Sequence, residues 1–134
     1  MVRSDASDTY VNFVLELLAP LGRAAARRMF GAHGVYCDGL FIAIVDSDTL
    51  WLKADELSRA DFERAGSQRF TYTREGREAT LNFFSAPAQA LDSTDALAPW
   101  LRLALAAALR SQSRPRSRRR ADQRFAGGRL TRSR

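Results

Sequence analysis

The sequence predicts an α+β fold, a two-layer sandwich of an antiparallel sheet with helices, followed by a disordered arginine-rich tail. Three observations carry that expectation. Short apolar runs are separated by two-residue turn chemistry, Asp38-Gly39 and Glu75-Gly76, of the kind that closes type I′ hairpins. Apolar residues recur with helical spacing near both ends of the compact part, at Val11, Val14, Leu15 and Leu18 and again at Leu97, Leu101, Ala104, Leu105 and Ala108. Beyond Arg110 the chain turns to serine, arginine, glycine and proline with few apolar anchors, so burial cannot offset the entropy of ordering it. At 134 residues and 46% hydrophobic content there is material for one core. We therefore expect one domain over residues 1–110 and a tail over 111–134.

In chain order, Ser7 or Asp8 is placed to cap a first helix. It should stop near Ala19, because Pro20 disfavours a helical residue before it and Gly22 follows as a terminator. A strand from about Ala25 to Phe30 leads into Gly31-Ala32-His33-Gly34, a turn in which both glycines are expected at positive φ. Val35–Cys37 and Leu40–Val45 flank Asp38-Gly39; the second run is apolar on both faces, as in a central strand covered by helix on one side. Asp46-Ser47-Asp48 turns the chain into Thr49–Lys53, completing a four-strand meander.

A short helix follows from about Asp55 or Ser58 to Ala65, with Ser58-Arg59-Ala60-Asp61 resembling a capping box with aspartate in the glutamate position, Phe62 as its anchor and Gly66 as its C′ glycine. Phe70–Arg74 and Glu78–Phe84 form a second hairpin across Glu75-Gly76, ended by Pro87. After a single turn at Ala88–Leu91, Ser93 or Thr94 caps a long helix to about Arg110. Pro99 should kink it or mark its start, since an internal proline costs about 3 kcal/mol.

The formal charge of +6 is unevenly distributed. From Arg110 to Arg134 there are ten arginines against Asp122, a local charge of +9, whereas the preceding 109 residues carry −3. The single cysteine, Cys37, allows no intramolecular disulfide, which suits a reducing, cytoplasmic setting. The apolar run Val11–Leu21 is interrupted by Asn12, Glu16 and Pro20 and is shorter than the roughly 20 residues that span a bilayer. We expect no membrane contact, signal peptide or membrane helix.

Arg28-Met29-Phe30-Gly31 with Gly34-Val35-Tyr36, Asp38-Gly39, Leu50-Trp51-Leu52-Lys53-Ala54, Phe70-Thr71-Tyr72 and Pro99-Trp100 together resemble the N-terminal domain of the TfoX/Sxy family, regulators of natural transformation competence. The resemblance covers about residues 10–110. It implies the sandwich fold, a non-enzymatic regulatory role, and a transcription-factor partner like the cyclic-AMP receptor protein. Full-length regulators of that family carry a second, helical domain where this sequence has its arginine-rich stretch.

The residues offer little chemistry of their own. His33 and Cys37 lack a third orienting group or a full ligand set, and the acids at 46, 48, 55 and 56 sit at turns and a helix start, where capping and the helix dipole favour them. Gly31–Gly34 is no phosphate loop, because no helix follows it and no lysine is placed as in one. We expect no catalytic residue, no cofactor and no metal. Tyr36, Trp51, Tyr72 and Trp100 are expected as core and sheet cover rather than as a stacking platform for bases.

Arg27 and Arg28 must point to opposite faces of a strand, so at most one joins any given patch with Lys53. Partner-binding candidates are Arg27, Arg28, Phe30, His33, Tyr36 and Lys53. Nucleic-acid candidates are Arg114, Arg116, Arg118, Arg119, Arg120 and Arg124, which would bind DNA or RNA without sequence preference and with strong salt dependence. The competing expectation is a small ligand-binding or enzymatic domain with a pocket near the Gly31–Gly34 turn.

Overall fold

The computed structural model describes residues 2–29 and 31–112, with the side chains of 2–7 left aside. Helix α1 (Val2–Leu18) precedes four strands, β1 (Ala24–Met29), β2 (Ala32–Cys37), β3 (Leu40–Asp46) and β4 (Thr49–Lys53). Helix α2 (Arg59–Arg64) leads to the hairpin of β5 (Arg69–Arg74) and β6 (Arg77–Ser85), and α3 (Thr94–Gln112) closes the domain. All strand pairings are antiparallel, in the order β1-β2-β3-β4-β6-β5. The second hairpin thus joins the meander through β6, which pairs Trp51, Leu52 and Lys53 with Ser85, Phe84 and Phe83.

Tight turns hold the meander in register. Asp38 and Gly39 both have positive φ, 52° and 84°, as a type I′ turn requires, and Glu75 and Gly76 repeat the pattern at 52° and 76°. Ser47 and Asp48, at 52° and 60°, do the same without a glycine. The first connection departs from expectation. Gly31 has φ 85°, but Gly34 lies inside β2 opposite Ile44, so it is a strand residue rather than part of a turn. Its lack of a side chain matters for packing: a Cβ there would meet Met29 Cε at 2.6 Å and Phe41 Cε1 at 3.2 Å. The space above it is filled by Met29 and the edge of Phe41.

Among the described residues, helices cover one face of the sheet. Val14 and Leu18 of α1, Phe62 of α2 and Leu97, Leu101 and Ala104 of α3 pack on Val35, Cys37, Ile42, Val45, Leu50, Leu52 and Phe84. Strict alternation would put Ile42 and Ala43 on opposite faces. A bulge, with Val35 facing Ala43 and Tyr36 facing Phe41, leaves Ile42 unpaired and turns both residues toward the helices.

Several local expectations are revised. Helix α1 starts at Val2, so Ser7 and Asp8 lie within it; no proline or glycine interrupts residues 2–18, and once its apolar stripe is docked the helix propagates upstream. Gly22 is extended (φ 169°) and is required for space, since a Cβ would lie 2.7 Å from Cys37 Sγ. Helix α3 runs unbroken from Thr94, with the Ala96 N–H donating to Ser93 Oγ at 3.0 Å as its cap. Pro99 is exposed near the first turns, where water can satisfy the carbonyl it leaves unpaired. The helix ends at Gln112, two residues past the expected domain boundary, and the tail from 113 onward lies outside the described residues. Gly66 does close α2 as expected, at φ 83°, with its N–H donating to Glu63 O and the Ser67 N–H to Phe62 O in a Schellman motif.

Candidate interaction surface

The face of the sheet away from the helices carries its own apolar cluster. Ile44, Phe70, Leu81 and Phe83 are buried there, with Ala32, Phe41, Trp51 and Tyr72 half-buried against them. Among the described residues no helical side chain belongs to this cluster. The rings cover one another: Phe41 stands 5.6 Å from Phe83 and 5.3 Å from Tyr36, and Trp51 meets Phe70 edge-on at 5.0 Å.

Cations complete the cover. The Arg27 guanidinium lies 5.3 Å from the centroid of Tyr36, and Lys53 Nζ sits 5.5 Å from Phe41 and 5.7 Å from Phe83. Arg27, Tyr36, Phe41, Lys53 and Phe83 therefore form a continuous string across β1, β2, β3, β4 and β6. Strand alternation extends the positive character to the far hairpin, where Arg74 and Arg77 are register partners on the Tyr72 and Ala79 side. Asp46, at the β3–β4 turn, is the acid that alternation places on this face.

Three of the partner-binding candidates, Arg27, Tyr36 and Lys53, thus come together. Arg28 and His33, register partners, lie on the opposite, helix side. Arg28 approaches Asp8 of α1 at 3.9 Å, and His33 is 9% exposed beneath that helix. Burial lowers the His33 pKa, the Arg28 charge lowers it further, and Asp8 acts against them. Phe30 and the six tail arginines, Arg114, Arg116, Arg118, Arg119, Arg120 and Arg124, fall outside the described residues. The aromatic residues divide as well: Tyr36, Trp51 and Tyr72 are on the helix-free face, whereas Trp100 packs at 5.1 Å on Phe62 in the helical layer.

His33 and Cys37 occupy the same face of β2 but are four residues apart, about 13 Å along a strand. The Cys37 thiol is fully buried, and burial, with the Asp38 charge, raises its pKa, the reverse of what a nucleophile needs. No cluster of three or more metal-ligating side chains occurs among the described residues.

Sequence reasoning assigned Asp55 to the helix start, and its structural role is larger. Asp55 is 6% exposed and receives Arg110 through two bonds, Nε to Oδ2 at 2.6 Å and Nη2 to Oδ1 at 2.8 Å. Its Oδ1 also accepts the N–H groups of Leu57 and Ser58, and the Asp55 N–H donates to Ser58 Oγ at 3.0 Å. Ser58 is thereby turned back toward Asp55 and makes no side-chain bond to its own helix, so the expected capping box does not form. The hydrogen bond from Arg110 is the main reason the Asp55 carboxyl stays below its ordinary pKa despite burial. Ser58, three residues on, was the local signal for this turn; the cation 55 residues away had none.

Comparison with known proteins fits this architecture. Residues 16–108 match the TfoX N-terminal domain model. A relative described as "DNA transformation protein TfoX1", from Aliivibrio fischeri, is 30% identical over 81 residues, which is 60% of this chain and 37% of the relative. The chain thus aligns with well under half of that protein's length. With the match spanning α1 to α3, this chain belongs to the TfoX N-terminal domain family.

Proposed function

We propose that the chain is a non-enzymatic regulatory module, similar to competence regulators, that acts by contact with transcription machinery while its basic segment adds sequence-independent affinity for nucleic acid. The observation that carries the reading is the string of Arg27, Tyr36, Phe41 and Lys53 on a sheet face that no described helix covers. Aromatic rings beside cations, rimmed by polar residues, are the usual composition of a contact surface. Family membership and the name of the matched relative support a regulator of DNA transformation. The titratable groups support the same view: Asp55 is fully engaged by Arg110, and Cys37 is buried as a thiol. The setting proposed is the cytoplasm, and no helix of the described residues is long and apolar enough to cross a membrane.

The protein partner in this reading is a cyclic-AMP receptor protein or a similar factor. Titration calorimetry of the full chain into purified receptor protein with cyclic AMP should give saturable binding that Arg27→Glu with Lys53→Glu abolishes. Binding unaffected by that charge reversal would move the contact elsewhere. The basic segment is tested by replacing Arg114, Arg116, Arg118, Arg119, Arg120 and Arg124 with glutamine in the full-length chain. If six phosphates are engaged, log K for duplex DNA should fall with log salt at a slope of about −5, and the replacement should flatten it. An unchanged slope would remove nucleic acid from the segment's role.

A further inference from the structure

We infer that the helix-free face is a stacking platform for single-stranded nucleic acid. This rests on the reading above of a binding module with a basic segment, and adds which surface reads the bases. A strand with unstacked bases offers π-faces and phosphates at alternating positions, and its binders present aromatic rings interleaved with cations on a sheet. Tyr36, Phe41 and Trp51 are half-buried rings on the adjacent strands β2, β3 and β4, Tyr72 is a fourth on β5, and Arg27 and Lys53 lie beside Tyr36 and Phe41 at the distances given above.

One further observation fits a polyanion. Arg74 and Arg77 are direct cross-strand partners at the far end of the face, a like-charge pairing that is unfavourable by itself and is relieved by a bound anion. A duplex keeps its bases stacked inside and would reach only the cations.

The test is fluorescence anisotropy of the full chain with a labelled oligothymidylate, a duplex of equal length, and a polyglutamate competitor across a salt series. Tyr36→Leu and Phe41→Leu keep apolar cover and remove the ring faces. Each should weaken the single strand about tenfold and leave the duplex unchanged. Arg27→Gln and Lys53→Gln, surface changes that leave the core intact, should each reduce the single-strand salt slope by about 0.7. Equal affinity for single strand and duplex, with the leucine variants without effect and the tail-glutamine chain weakened, would overturn the platform while leaving the basic segment's role standing. Displacement by polyglutamate as readily as by oligothymidylate would overturn it in favour of an acidic protein partner. Loss of all nucleic-acid binding from the unmodified chain would remove both.

Discussion

The two faces of the sheet use similar apolar residues for different ends. Toward the helices, Val35, Ile42, Leu52 and Phe84 are sealed by α1, α2 and α3, with Phe62 stacked on Phe84 at 5.5 Å. Toward the other side, Phe41 packs on Tyr36 and Phe83, Trp51 on Phe70, and Arg27 and Lys53 lie over the rings, with no helix contributing among the described residues. A strand apolar on both faces, such as Leu40–Asp46, therefore does not require two helical layers. The sealed face supplies cohesion, and in the function proposed above the aromatic one supplies the contact.

That contrast is broken most sharply by truncating an equivalent ring on each side. Phe62→Ala removes a fully buried ring and should cost about 3–5 kcal/mol in urea unfolding, whereas Phe41→Ala, half-buried, should cost about 1–2 kcal/mol. Equal losses would mean that both faces are core.

The clasp that joins the two layers comes next. Arg110→Ala leaves the Asp55 carboxylate buried without its cation, and should cost about 2 kcal/mol, less than a fully buried pair because Arg110 is 37% exposed. The pH dependence follows from the depressed Asp55 pKa. The clasp's contribution is present above the ordinary carboxylate value of 3.8 and is lost as pH falls through the lower folded value. Acid unfolding of the variant, followed by circular dichroism, should lack that final step.

Glycine substitutions separate rigid from yielding contacts. Gly22→Ala would press on the buried Cys37 Sγ and should cost about 1–3 kcal/mol. Gly34→Ala meets first the end of the flexible Met29 side chain on the helix-free face and should cost about 1 kcal/mol or less. The smallest expected effect is at His33. Its pKa is lowered in the folded state, so folding favours the neutral ring; stability should fall as pH drops below 6.5 and level off below the folded value. His33→Gln should flatten unfolding midpoints between pH 7 and 5.

How far the sequence could be read follows from the range of each interaction. The hairpin turns at 38–39 and 75–76, the α1 and α3 stripes and the C′ glycine at 66 were legible because a few adjacent residues decide them. Opposite orientation of Arg27 and Arg28 was legible from the pleat alone. Gly34 was misassigned because a glycine that makes room for Met29 and Phe41 looks, in sequence, like one that makes a turn. Asp55 was passed over because its cation is 55 residues distant. The division of Trp51 from Trp100 depends on which face the helices cover, and periodicity does not carry that information.

Those two tryptophans offer the most direct measurement, since each reports on one face. Single-tryptophan chains, Trp100→Phe and Trp51→Phe, should be titrated with oligothymidylate while indole fluorescence is followed. Saturable quenching of Trp51 with an unresponsive Trp100 is the expected result. Quenching of Trp100, or saturation of binding with Trp51 unchanged, would contradict the assignment of contact to the helix-free face.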